Sequence, residues 1–592
     1  MSLPSERFVL PASLGQERLW FLCRLDPAAS RAYHMLSAFR LEGALDRNQL
    51  RLALEVLVDR HEALRTTLSL AQDPAGSGPD KRLFQVVAPA RHVGIHFEDV
   101  SSMEDDEREA RLARLIRDFQ DAPFDLERGP LLRACLVRES PESSLLLLAL
   151  HHVIADGWSL AILYRDFGRL YAALAEGQDP GLPELPVQFA DYAAWQREQV
   201  ASPEYDRHLT YWLRALSGVP PLELPGRQAR GRRQGHHGSS LAVRLNRSSV
   251  AALTELAHAE RASLFMVLLA AYQVALAERA GQTDFAVGTP VAGRTRPELE
   301  NVVGFFVNTL AIRADLAGGP TFRQVLRRVR ARSLEAFEHQ EVDFAHLVER
   351  LQPNRGLGRP PVFQAFFTLQ NFPRHPQRMA ALRVTSLDLP ASTTRFDVTL
   401  DLHPEGEELE GRLEFDDRLL PESEMRRLRG AFESVLAGAL ADPDQRLAIE
   451  ERRAGSSAFP LAGSAGDGLE RVTERPPSTQ AERRIAAIFS RVLHCEVTDA
   501  GASFFALGGN SLKAVTLASE LEREFEVTLP IEVIFESPSV KALAAGLEAT
   551  AGRVGSEPDG RGLDGSMDAL WQEETGNVNR VYGQAMEARE IG

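Results

Sequence analysis

Hydrophobic and polar residues fall into blocks whose period changes along the chain. Leu145 to Leu150 is an unbroken apolar run of the length of a buried strand. A turn-like segment around Gly157 follows. Ile162, Leu163, Phe167, Leu170 and Leu174 then recur at helical spacing until Gly177 and Pro180 end the pattern. Strand, loop and helix are therefore expected in that order. Further on, Ala262–Ala280 reads as a mostly buried helix, Asp284–Ala292 as a strand and turn, and Phe305–Leu316 as another strand. Helical spacing returns around Phe322 to Phe337 and Glu424 to Leu440. This is a mixed α/β body, too large for one pair of layers, and it predicts two lobes around a cleft with a boundary near residues 175 to 185.

The pattern stops after about Leu447. Ala454 to Gln480 is rich in Gly, Ser, Ala and Pro and has no sustained period, as a flexible linker does. Helical patterning resumes from 481 to about 549. Ile485, Ile488 and Val492 share one helical face, and Leu512, Val515, Leu517 and Leu521 can pack inward from a second helix. Ser537 before Pro538 reads as the cap of a further helix. Another Gly-rich run begins at Ala551. The expected organisation is a body over 1–450 (lobes about 1–178 and 179–450), a linker over 451–480, a small all-α bundle over 481–549 and a tail over 550–592.

Composition narrows the functional classes. Of 592 residues, 44% are hydrophobic and 25% charged, which excludes fibrous and mostly disordered chains. A net charge of -16 repels nucleic-acid phosphates and anionic membranes, so neither is an expected partner. Cys23, Cys135 and Cys495 form no ligand-spaced pair, which argues against a disulfide scaffold and a Cys-rich metal site. The N-terminal stretch lacks a signal-peptide core, and the longest apolar run, Leu264 to Tyr272, is far too short to span a bilayer. Cytoplasm is the expected compartment.

The densest polar chemistry lies in His151, His152, Asp156 and Gly157, directly after the apolar strand and before the long helix. Adjacent side chains on an extended segment point to opposite sides, so the two histidines should have different tasks. One can face a cleft while its neighbour holds the turn. Asp156 can pair with a distant cation, and Gly157 allows a backbone angle or close approach denied to other residues. Taken alone, the segment reads more readily as a loop of satisfied polar groups. It lacks the i,i+4 histidines of a zinc helix, and no G-x-S-x-G nucleophile elbow surrounds Ser159.

With its companions the segment resembles a known family, the condensation domains of nonribosomal peptide synthetases. His151 to Ser159 matches that family's HHxxxDGxS motif. Ser13, Gln16, Arg18, Leu19 and Trp20 resemble its opening motif, with Gly15 in place of the usual alanine. Arg60–Thr66, Asp191–Gln196, Gly288–Thr309, His339–Phe344 (with Asp343 replacing proline) and Pro361–Asn371 resemble the others, in the family's order. The resemblance implies a two-lobed, chloramphenicol-acetyltransferase-like α/β fold with an active-site tunnel between the lobes. It places His152 at the reaction centre and makes His151 a support of the loop. Asp156 becomes a structural residue paired across the lobes, for which Arg294 is the candidate partner. Trp158 and Ser159 favour condensation over epimerisation, and the retained His151 separates the chain from heterocyclisation domains. The substitution at Asp343 is expected to remove a stiffening proline and alter a segment facing a carrier.

The small domain adds a second resemblance. Gly508, Gly509 and Asn510 predict a tight turn that places Ser511 at the start of a helix, where helix capping alone would explain a serine. The string LGGNSLKA in a compact helical domain resembles the attachment site of peptidyl carrier proteins, with Asn510 where Asp or His is usual. The cofactor this implies is 4'-phosphopantetheine, joined covalently to Ser511 by a separate phosphopantetheinyl transferase. Other implied partners are an upstream donor carrier protein, an adenylation enzyme acting in trans and further synthetase subunits. The expected reaction joins a carrier-bound acyl or peptidyl thioester to an amine, most simply one held on the chain's own carrier, to form an amide. Transfer to a soluble amine or alcohol, and a non-catalytic carrier-docking module, are the alternatives. Met567, Leu570, Trp571 and Tyr582 make the tail a candidate docking peptide, and a merely solvated end reads equally well.

Overall fold

The computed structural model describes residues 7–25, 29–72, 81–89, 93–228, 238–351, 360–370, 378–387, 389, 394–449, 475–493, 495–504, 507, 511–527, 529, 533–534 and 537–551. The chain divides into two compact units, Met1–Ser69 with Gln85–Arg452 and Leu70–Phe84 with Arg453–Gly592. The tail residues considered for docking lie outside the described residues.

The first unit is built around two six-stranded sheets. One runs in the order Arg378–Met379, Leu382–Leu387, His34–Glu42, Ser143–His151, Leu132–Ser140, Ile95–Asp99. Its central strand is the unbroken apolar run, antiparallel to both neighbours. Leu145 and Leu147 pack with Val137 and Leu115, the latter on the Asp105–Asp121 helix. Leu146, Leu148 and Leu150, on the opposite face, are also buried. With both faces covered, a strand needs no polar alternation.

The second sheet runs in the order Asn308–Asp315, Asp284–Val291, Ala365–Leu369, Val398–Glu405, Glu408–Asp416, Gly238–Leu245. Against it lies the helix Leu264–Ala280, apolar on all sides because it is surrounded: Val267 to Leu276 are all buried, Gln273 included. Ser263 caps its start through the Met266 N–H at 3.3 Å, and Gly281 ends it in the left-handed conformation at φ 66°. The helices Phe322–Glu338 and Glu422–Ala441 pack beside it.

In the first unit the structure departs from the sequence reading in two places. The division near residue 178 follows chain order but not the sheets, because Leu382–Leu387 pairs with His34–Glu42 and extends the first sheet. The strand expected from Phe305 begins only at Asn308. Phe305 and Phe306 are withheld from the ladder by contacts with the histidine loop.

In the small domain, helices Gln480–Leu493, Ser511–Phe525 and Val540–Ala551 surround a core of Ile485, Ile488, Phe489, Phe504, Leu517, Leu521, Ile534 and Leu543. Thr479 and Glu482 close the first helix reciprocally: the Glu482 N–H donates to Thr479 Oγ1 at 3.0 Å, and the Thr479 N–H to Glu482 Oε2 at 3.1 Å. The last helix is capped by Ser539, whose Oγ accepts the Ala542 N–H at 3.3 Å, and not by Ser537. The Ser503–Ser539 bridge keeps Pro538 and Ser539 extended, which delays the helix. No single described helix is long and apolar enough to cross a membrane.

Candidate active site

The strand Ser143–His151 delivers His151 at its last ladder position, opposite His34. His152 opens the short 3-10 turn His152–Ile154, and this change of backbone sends the adjacent side chains into different surroundings. His151 is fully buried. Its Nδ1 accepts the Val153 N–H at 3.2 Å, so the neutral ring carries its proton on Nε2, 3.6 Å from Cys23 Sγ. Burial, reinforced by the neighbouring His34 and His152, pushes its pKa down to about 3. His151 thus fastens the turn as a neutral ring.

His152 has the opposite tautomer. Its Nδ1 lies 2.7 Å from the Ala155 carbonyl oxygen, which can only accept, so Nδ1 donates and Nε2 keeps its lone pair. Burial and then the positive charge of Arg395 push its pKa down to about 4, against the opposing pull of Asp156 and the carbonyl. The residue remains 8% exposed. Near neutral pH it is an uncharged base.

Asp156 and Arg294 meet across the two lobes. Asp156 caps the helix Gly157–Glu176, its Oδ1 accepting the Ser159 N–H at 2.8 Å. Gly157 is the first residue of that helix and not a left-handed turn. Arg294 donates from Nη1 to Asp156 Oδ2 at 2.9 Å and from Nη2 to Oδ1 at 3.2 Å, and Oδ2 also accepts the Phe306 N–H at 3.0 Å. Burial by itself would raise the Asp156 pKa, but the guanidinium and the Ser159 N–H together hold it below the usual carboxylate value. Arg294 also donates to Ser159 Oγ at 2.9 Å and to the Val302 carbonyl at 3.2 Å. Ser159 is no nucleophile here: its Oγ donates to the Gly304 carbonyl at 2.9 Å and accepts the Gly304 N–H at 3.1 Å.

Other segments singled out in the sequence converge on this loop. Ser13 and Gln16 cap the first helix reciprocally, and Gln16 Nε2 reaches the Val153 carbonyl at 3.2 Å. Tyr192 packs on Phe306, with ring centroids 4.6 Å apart. Trp158 Nε1 donates to the Glu300 carbonyl at 3.0 Å, and Arg165 Nη1 to Asn301 Oδ1 at 2.9 Å. His61 and Arg60 both meet the buried Asp166 on the loop's helix. Asp343 is buried and replaces proline stiffness with a cap: its Oδ1 accepts the Ala345 N–H at 2.8 Å and starts the helix Phe344–Leu351. Asn308 Nδ2 ties the preceding turn down through the Gln340 and Val342 carbonyls.

The sequence reading missed Phe305, whose ring stands edge-on to His152 at a centroid distance of 5.0 Å and an interplanar angle of 78°. The pair of aromatics before Asn308 was visible in the sequence but was absorbed into the strand. Phe305 is only 4% exposed. Ser511 is the first residue of the helix Ser511–Phe525. Gly508, Gly509 and Asn510 lie outside the described residues.

Residues 6–452 match the Condensation domain family, and residues 483–547 match the Phosphopantetheine attachment site family. Chondramide synthase cmdD of Chondromyces crocatus is 39% identical over 439 residues, 74% of this chain and 11% of that protein. The chain spans between 6% and 11% of the length of such relatives. The crystal structure of the X-domain from teicoplanin biosynthesis is similar with a TM-score of 0.65 and 27% identity, over 75% of this chain and 97% of that one. SgcC5 from Streptomyces globisporus, solved with a naphthyl ethanediol and sucrose, is similar with a TM-score of 0.60 and 28% identity, over 74% of this chain and 100% of that one.

Proposed function

The chain belongs to the condensation-domain family and carries a phosphopantetheine attachment domain behind it, and on that premise we propose that it forms amides from carrier-bound thioesters, with His152 as the catalytic residue. The observation that carries the reading is the tautomer of His152: Nδ1–H is held by the Ala155 carbonyl at 2.7 Å, which leaves Nε2 as an acceptor. An amine meeting that nitrogen is oriented with its lone pair free for attack. As the C–N bond forms, the amine proton becomes acidic and passes to Nε2. The C–S bond then breaks, and the departing sulfur takes that proton to leave as a thiol. A ring whose pKa is about 4 does not hold the proton at neutral pH, so it serves as a transit point.

Ser511 is the proposed attachment residue for 4'-phosphopantetheine, which supplies a thiol on a flexible arm for carrying acyl groups. Its position at the first residue of a helix fits a phosphodiester, because backbone N–H groups there have no helical partner. A phosphopantetheinyl transferase, an upstream donor carrier and an adenylation enzyme acting in trans are the partners this reading requires, together with other synthetase subunits. Cytoplasm is the compartment that suits them. Tethering raises the local concentration of an acceptor without requiring tight free binding. Transfer to a soluble alcohol or amine is the second reading. It is favoured by the free diol with which the similar SgcC5 was solved, since the same attack on a thioester by a hydroxyl would give an ester.

The test is the intact mass of the carrier domain in the full chain from its native pathway, in wild type, His152→Ala and Ser511→Ala. An aminoacyl adduct on His152→Ala and a longer acyl-aminoacyl adduct on wild type support a tethered acceptor. A long acyl group trapped on His152→Ala but discharged from wild type supports the soluble nucleophile. Ser511→Ala should lose every adduct. Normal turnover by His152→Ala sinks the catalytic assignment, and carriers that bind the chain with no transfer in wild type or His152→Ala would leave a docking module.

A further inference from the structure

The Phe305 ring touches two neighbours of different kinds. One is the His152 imidazole, at right angles to it with 5.0 Å between centroids. The other is Gly15, near the start of the helix Leu14–Leu25. A Cβ placed on Gly15 would stand 2.8 Å from Phe305 Cε1 and 2.9 Å from Cδ1, whereas carbon atoms in contact rest about 3.5–4.0 Å apart. Gly15 sits in a helix and has no positive φ, so backbone conformation does not call for glycine there. The close approach of the ring does. One turn further along the same helix, the Arg18 guanidinium lies 5.9 Å from the centre of that ring.

This arrangement bears on the direction of His152 Nε2. The Ala155 carbonyl holds Nδ1, but a single hydrogen bond leaves the ring free to swing about it. A packed aromatic against the imidazole removes that freedom. We propose that Gly15 and Phe305 are a matched pair of positioning residues: the missing side chain at 15 seats the Phe305 ring, and the seated ring aims His152 Nε2 at the amine. Phe305 thereby also forms part of the wall beside the reacting nitrogen. This rests on the reading of His152 as the reacting imidazole.

The test uses the full chain with Gly15→Ala, Phe305→Leu and the double variant. Two readouts are taken: single-turnover transfer with its kcat and donor-carrier KM, and the His152 ring signals in histidine-labelled NMR, assigned by their loss in His152→Ala. Gly15→Ala displaces the ring from its seat against the imidazole, so it should lower kcat about tenfold or more while KM changes less than about twofold. It should also shift the His152 signals. The narrower leucine makes room for the added methyl, so the double variant should be faster than Gly15→Ala alone. Rates that simply multiply would overturn the pairing, and so would an unmoved His152 signal in Gly15→Ala. If Gly15→Ala fails to fold, Phe305→Leu alone decides: a lowered kcat with KM kept supports the proposal, and a wild-type kcat overturns it. Normal turnover by His152→Ala would instead remove the catalytic reading, and the NMR comparison would still report whether the pair sets the ring.

Discussion

Replacing Arg294 with alanine should destabilise the first unit by about 3–5 kcal/mol, the scale for removing one partner of a buried ion pair. Both side chains are only 3% exposed, so solvent screens the pair little. The substitution removes both guanidinium bonds to Asp156 and the bonds to Ser159 Oγ and the Val302 carbonyl. The carboxylate keeps the Ser159 and Phe306 N–H groups, at 2.8 and 3.0 Å, but loses its counter-charge. Asp156→Asn with Arg294→Ala should cost less than the two single changes summed, with a coupling of about 1–3 kcal/mol. Urea unfolding followed by tryptophan fluorescence measures this, because Trp20, Trp158, Trp195 and Trp212 all lie in the first unit. The pH dependence supplies a second check. In wild type the lowered Asp156 pKa gives stability that is present above the unfolded value of about 3.9 and is lost as pH falls through the folded value. In Arg294→Ala burial, opposed only by the remaining hydrogen bonds from Ser159 and Phe306, raises that pKa, so protonation relieves the site and the gap from wild type should narrow as pH falls. A loss below about 1 kcal/mol, or strictly additive changes, would refute the account of the pair.

Other consequences follow from the same groups. The pKa values of His151 and His152 are lowered to about 3 and about 4, so both contribute stability that is present above the unfolded value of about 6.5 and lost as pH falls. Urea midpoints taken from pH 7.5 to 5 should therefore decline, with a slope of up to about 1.4 kcal/mol per pH unit for each ring, and His151→Gln should remove one ring's share; an unchanged slope contradicts a buried neutral His151. Single-turnover transfer should show no loss from His152 protonation until pH approaches about 4, so a limb near 6.5 that disappears in His152→Ala would contradict the neutral base. Asp343→Ala should cost about 0.5–2 kcal/mol in thermal unfolding through the lost cap, and Asp343→Ser should keep most of it; equal losses would show that the carboxylate does not act as a cap.

Elements whose cause is local were legible in the residues alone. The Leu145–Leu150 run, the helical recurrence after Gly157 and the enclosed helix before Gly281 each announce themselves through a period or its absence, and their observed spans follow closely. Residue types in a fixed order carried the candidate site, because His151, His152 and Asp156 occupy one short loop, and only Arg294 had to be supplied from a distance. Tertiary structure decided everything that depends on which surfaces meet. It added Leu382–Leu387 to the first sheet by pairing it with His34–Glu42, far back along the chain, which no local pattern encodes. It took Phe305 and Phe306 out of a strand and packed their rings against His152, Tyr192 and Arg294 instead. It also fixed the two histidine tautomers, because a neutral imidazole takes its proton from the company it keeps: an N–H faces His151 Nδ1, and a carbonyl faces His152 Nδ1.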